Sequence, residues 1–223
     1  MSRARSAVAA LAAVIAVAGI SGPARADDDD IPTKIVDAME KVYGVHPGYR
    51  ANHAKGVVTE GSFKGSPQMA TLSTSPLFTG ATIPVTVRFS DSGGLPDVPD
   101  GSEGANPHGI SIKFHLADGG ESDIVANSLK IFVVATPQEF LDLQLAAAAS
   151  PPNAPHPTKI EEFVGSHPTV VKALSTLGIP DSFADEEYNG VDAFVFVNKA
   201  GQRQAFRYII SPQRLVHISA FQY

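Results

Sequence analysis

Between Val57 and Val134, apolar and polar residues alternate in runs separated by glycine-rich turns. A period of two sends successive side chains to opposite faces, so these runs predict a sheet with one buried face. Ile83 to Phe89 puts Val85, Val87 and Phe89 on one side, and Ile110 to Leu116 does the same with Ile110, Ile112, Phe114 and Leu116. Val57 to Phe63 reads as a shorter strand, and Ile124 to Val134 as a longer one ending in Ile131-Phe132-Val133-Val134. Gly93-Gly94 and Asp118-Gly119-Gly120 supply the tight connections. Ahead of the strands, Ile35, Val36, Met39 and Val42 repeat at helical spacing within Ile31 to Val42.

Beyond the fourth strand the period changes. Pro137 opens a helix that runs through Phe140, Leu141 and Leu145 to Ser150. The proline-rich stretch from Ser150 to Pro157 is a loop, followed by short helices at Thr158 to Val164 and Pro168 to Leu177. Strands return at Asp192 to Asn198 and Gln204 to Ile210, joined by Lys199-Ala200-Gly201. Six mostly antiparallel strands with helices inserted after the fourth predict an α+β fold on a barrel or strongly curved sheet.

The ends and the composition narrow the chemistry. Met1 to Ala26 has a basic start at Arg3 and Arg5, an apolar run from Ala7 to Ile20, and a small-residue cleavage site at Ala24-Arg25-Ala26. That is a secretory signal, too short in its apolar run for a stable membrane span. Its removal leaves residues 27–223 as one domain bound for the periplasm or the exterior, starting in a solvated tip at Asp27 to Asp30. The formal charge of −6 becomes −9 once Arg3, Arg5 and Arg25 leave with the signal. An acidic chain of this kind is unsuited to nucleic acid. The absence of cysteine excludes disulfides, iron–sulfur clusters and thiolate ligation. No Gly-x-Ser-x-Gly or His-Glu-x-x-His string points to hydrolysis. His108 and His115 fall on opposite faces by strand alternation and are poor joint metal ligands.

Three strings remain: Arg50-Ala51-Asn52-His53-Ala54-Lys55-Gly56, Val87-Arg88-Phe89-Ser90, and Asp123-Ile124-Val125-Ala126-Asn127 followed by Ile131-Phe132. In order and spacing they resemble the haem-facing side of the catalase family, and the compact length resembles its small, exported catalase-related peroxidases. The likeness runs from about Tyr43 to Gln213. It implies a catalase-like antiparallel β-barrel core with inserted helices, haem as cofactor, and a peroxide with a small-molecule electron donor as reactants. Self-assembly into a homo-oligomer is compatible with it.

By this resemblance His53 is the distal histidine, which moves a proton between the two peroxide oxygens. Ser90 orients it, and Asn127 donates a hydrogen bond to the peroxide as charge develops. Arg50 and Arg88 hold the haem propionates, a task suited to forked guanidinium donors, and Phe140 packs flat on the porphyrin. Asn52 departs from the hydrophobic residue usual before the distal histidine, which predicts a more polar pocket.

In the family the iron is bound by a tyrosine phenolate with an arginine four residues before it. No such pair occurs here: Arg203, Arg207 and Arg214 are followed at that offset by Arg207, Ser211 and Ile218. Tyr208 lies inside an expected strand and Tyr223 is the last residue, so no axial ligand is assigned. The tail from Arg214 does not resemble the family, and the expected barrel is incomplete at its C-terminal end. The alternative to an active peroxidase is therefore a truncated, non-catalytic binder of haem or of a small apolar ligand.

Overall fold

A computed structural model describes residues 30–213. The signal segment, the first three residues of the acidic tip and the tail from Arg214 lie outside the described residues. Helix α1, Ile31–Tyr43, starts beside Asp30, whose carboxylate meets Lys34 at 2.9 Å. Strands β1 (Gly56–Lys64), β2 (Thr82–Ser90), β3 (Gly109–His115) and β4 (Glu121–Asn127) form an antiparallel meander. Helices α2 (Pro137–Ala148), α3 (Lys159–Ser166) and α4 (Pro168–Leu174) follow. The chain then returns through β5 (Tyr188–Asn189), β6 (Phe194–Val197), β7 (Arg203–Phe206) and β8 (Ile209–Ile210).

The main sheet runs β1-β2-β3-β4-β5-β8, and β6 and β7 pair separately as a hairpin. This is an α+β fold on an antiparallel half-barrel: among the described residues β1 and β8 remain the two edges. The predicted alternation sets the inner face. Ile83, Val85 and Phe114 pack with Leu77 and Phe78, while Ile110 and Ala126 pack with Tyr188. Phe63 meets Phe114 edge-on at 5.1 Å. The helices have a core of their own, in which Leu129, Val133 and Val134 pack against Val170 and Ala173.

Three expectations need correction. The fourth strand ends at Asn127 instead of Val134. There the Asn127 Oδ1 accepts the Leu129 backbone N–H at 2.9 Å, an Asx-type turn that diverts the chain. Ile131 to Val134 then serves the helical core, which an apolar run can do without being a strand. The last expected strand, Gln204 to Ile210, is divided into β7 and β8 around Arg207-Tyr208, because the Tyr208 carbonyl accepts from Gly190 N at 2.8 Å. The two-residue β5 is too short to leave a periodic signal. Finally, the helix expected over Pro168 to Leu177 ends at Leu174, and His53 lies in the loop before β1.

Candidate functional site

His53 is the one non-glycine with positive φ, +53°, among the described residues. An L-residue pays a steric penalty in this left-handed region, so the surroundings have to hold it there. They do so at several atoms. Its backbone N–H donates to the Ser92 carbonyl at 3.1 Å, and Ala54 N donates to the Gly93 carbonyl at 3.0 Å. The His53 carbonyl accepts from Arg88 Nη2 at 2.8 Å, and its Nδ1 lies 3.0 Å from Ser90 Oγ. The ring is thus oriented by β2 and by the loop that follows it.

Two glycines make room for this. A Cβ on Gly109 would lie 2.9 Å from His53 Cε1 and 3.0 Å from Ser90 Oγ. A Cβ on Gly56 would lie 2.3 Å from the Phe89 carbonyl oxygen and 2.8 Å from Arg88 Nη2. Both positions need the bare backbone. Gly56 closes the Arg50–Gly56 string but received no role from the sequence, and Gly109 received none either.

The strand register extends the site. Gly56, Ser90, Gly109, Asn127 and Asn189 lie opposite one another in one row, so they share a face. The adjacent same-face row is Val58, Arg88, Ser111 and Val125. Val58 is 65% exposed and Val125 72%. This outer face is an open platform of small, polar and exposed apolar side chains, opposite the apolar inner face. With Asn127 Oδ1 bonded to Leu129 N, the Asn127 amide hydrogens are left without a partner among the described residues.

Charge at the platform is one-sided. The charges of Arg50 and Arg88 both act on His53, and neither guanidinium has a carboxylate partner among the described residues. Burial lowers the Arg88 proton affinity, and the Arg50 charge lowers it further. His53 is held below the ordinary imidazole value first by burial, and then by Arg88 and Arg50, against a bond to the Asp91 backbone. The imidazole is therefore neutral at pH 7 and can accept a proton.

The structure brings His53, Ser90, Arg88, Arg50 and Asn127 to one face. Phe140 belongs to the helical part of the chain. On α2 it packs at the edge of the helical core, with its ring 5.6 Å from that of Phe132. Neither Tyr188 nor Tyr208 is prepared as a phenolate. Tyr188 is buried and donates to the Phe183 carbonyl at 2.8 Å, and burial raises its phenol. Tyr208 is raised by burial too, packed edge-on to Phe206 at 4.9 Å. No group of three or more metal-ligating side chains is assembled among the described residues.

Comparison with known proteins decides the family. The catalase family model matches residues 32–221, most of the chain. The chain belongs to the catalase family. It is 34% identical over 208 residues to a catalase-related peroxidase of Synechococcus elongatus, covering 92% of this chain and 61% of that protein. A catalase-related peroxidase of Mycolicibacterium paratuberculosis is also 34% identical, over 81% of this chain and 58% of its own length. The chain thus spans about three fifths of these relatives. A bacterial catalase structure superimposes over 88% of this chain and 38% of its own, with a TM-score of 0.62 at 22% identity, which supports the catalase-like fold. Within this family, the platform around His53 is the part whose residues were singled out from sequence.

Proposed function

We propose that the His53 platform is the peroxide-facing half of a haem site and that the chain takes part in peroxidase- or catalase-type reduction of hydrogen peroxide or organic peroxides. The observation that carries this is a neutral, strained histidine fixed by Ser90 beside two guanidiniums that lack carboxylate partners. The donor set fits the group. Two unpaired forks suit two propionates, and the bare backbone at Gly56 and Gly109 with the exposed Val58 and Val125 suits a flat apolar ring. An iron ligand on the opposite side is not found among the described residues.

Haem, when bound, supplies the iron that polarises the peroxide bond and takes up the oxidising equivalents. The chain's own residues manage protons. His53 accepts a proton from one peroxide oxygen and returns it to the other, so that the departing oxygen leaves as water or an alcohol. Ser90 keeps the imidazole in the plane and tautomer this transfer needs. The free amide hydrogens of Asn127 stabilise negative charge developing on the peroxide. A small-molecule electron donor would supply the two electrons that reduction of the peroxide consumes. Read as a secretory leader, the composition of Met1 to Ala26 supports an activity in the periplasm or outside the cell. No described helix is long and apolar enough to cross a membrane.

A second reading, a binder of a small apolar ligand, draws on the hollow of about 720 Å³ between the inner face and the β6–β7 hairpin, lined by Phe63, Phe78, Phe114 and Phe196. Haemin titration separates the two. A saturable Soret shift followed by peroxide consumption supports the haem site, and the absence of any saturable shift counts against it.

A further inference from the structure

Ser90 and Gly109, on which the His53 ring rests, are directly opposite each other at the ends of β2 and β3. The residues next to them in sequence are Asp91 and His108. Both are buried, at 0% and 2% exposure, and strand alternation turns both away from the His53 face to the underside of the sheet end. There His108 Nδ1 lies 2.7 Å from Glu186 Oε2, while its Nε2 lies 3.3 Å from the Asp100 carbonyl and 3.7 Å from Asp91 Oδ1. Neither carboxyl oxygen of Asp91 has a hydrogen-bond partner among the described residues. The Phe183 ring stands edge-on to His108 at 4.8 Å and stacks on Phe89.

The other charges facing this cluster are few. Lys55, two residues after His53, pairs with the Asp100 carboxylate and donates to the Val98 carbonyl at 2.6 Å. Asp91 N donates to the Lys55 carbonyl at 3.2 Å. Asp181 lines the small hollow beside His108 and Asp100. Burial opposes a charged imidazole, but Glu186, the Asp100 carbonyl and Asp91 outweigh it and raise the His108 proton affinity. Removing one partner from a buried group of this kind leaves the remaining charges uncompensated, so the sheet end would have to move.

We propose that His108 is a positioning residue for His53: clamped between Glu186 and Asp91, it fixes Ser90 and Gly109 from beneath and so sets where the His53 ring stands. The role extends the proposed function and rests on that reading only for its catalytic meaning, since the placement of His53 is measurable without haem.

The test is a pH titration of isotope-labelled histidine rings in the haem-free chain, with the His53 signal assigned through His53→Ala. In His108→Gln, the support that the imidazole gives the sheet end between Glu186 and Asp91 is lost, and the His53 ring loosens from its buried seat. The His53 midpoint should then move up by several tenths of a pH unit toward the ordinary imidazole value, and its tautomer signals should change. His108→Arg, which can still donate to both carboxylates, should return both toward wild type, and His156→Gln at the surface should move neither. A folded His108→Gln chain with an unmoved His53 midpoint and tautomer overturns the proposal. If His108→Gln does not fold, Glu186→Gln decides instead, since it keeps the imidazole and removes the charge that holds it. The same upward shift is expected, and no shift overturns the role. A shifted His53 together with peroxide turnover that ignores His53→Ala would leave the positioning role standing and remove the proposed function.

Discussion

At the scale of single residues, the site depends on absences as much as on functional groups. Gly109 gives His53 its place because a methyl there would sit 2.9 Å from the ring. Gly109→Ala should cost about 1–3 kcal/mol of stability, measured by urea unfolding, because overpacking has to displace the ring or the strand. It should also release the His53–Ser90 contact. Ser90→Ala removes that contact without adding bulk, so the fold should persist while peroxide turnover by the haem-loaded chain falls about tenfold. An unchanged rate in Ser90→Ala would show that Ser90 does not orient a working histidine. The three strings made His53, Ser90, Arg88, Arg50 and Asn127 visible in sequence because each contributes a distinctive functional group. The packing role of Gly56 and Gly109 was not visible, since the need for a missing side chain arises only once another chain segment lies against it. His108 was hidden for a related reason: its partner Glu186 is 78 residues away, and no local pattern announces the pairing.

At the scale of elements, period-two alternation located β1, β2 and β3 to within a residue at each end, and β2 and β3 turn Ile83, Val85, Ile110 and Phe114 into the inner core. The helices were legible from their starts. Thr136 caps α2 and Glu139 returns the bond to the cap, and Thr158 with Glu161 does the same for α3. Thr136→Ala should destabilise the chain by about 1 kcal/mol in denaturant unfolding. The run from Ile131 to Val134 misled because apolar residues bury equally well in a strand or in an irregular segment under helices. The side chain that ends β4, Asn127, acts through a turn bond that periodicity does not register. Phe114 is 1% exposed at the centre of the inner face, and Phe114→Ala should cost about 3–5 kcal/mol.

At the scale of the whole molecule, the two faces of one half-barrel carry different tasks. The inner face builds a core, and the outer face carries the imidazole and the Arg88 guanidinium of the proposed haem site. The buried cluster under the sheet end links stability to pH. His108 has a raised proton affinity when folded, so its contribution is complete below the ordinary imidazole value of 6.5 and is lost as pH rises through the folded value. Relative to His108→Gln, the wild-type chain should therefore have its greatest stability advantage in mildly acidic solution, and unfolding midpoints across pH should converge on the alkaline side. Asp91 is pushed up to about 6 by burial and then by Asp100, against His108 and Lys55, so its ionisation also weakens the fold as pH rises above 3.8. His53 acts in the opposite sense. Its affinity is lowered by burial and by Arg88 and Arg50, so protonating it at pH below 6.5 costs stability and removes the base.

The central claim, that His53 is the proton carrier of a haem-dependent peroxide site, is tested most directly by the pH dependence of peroxide consumption. The haem-loaded wild-type chain and His53→Gln would be compared. The wild type should lose activity as pH falls, with the midpoint below 6.5, while His53→Gln should lose about 10²–10⁴-fold in rate together with that acid limb. Equal rates with the same acid limb in both proteins would contradict the account.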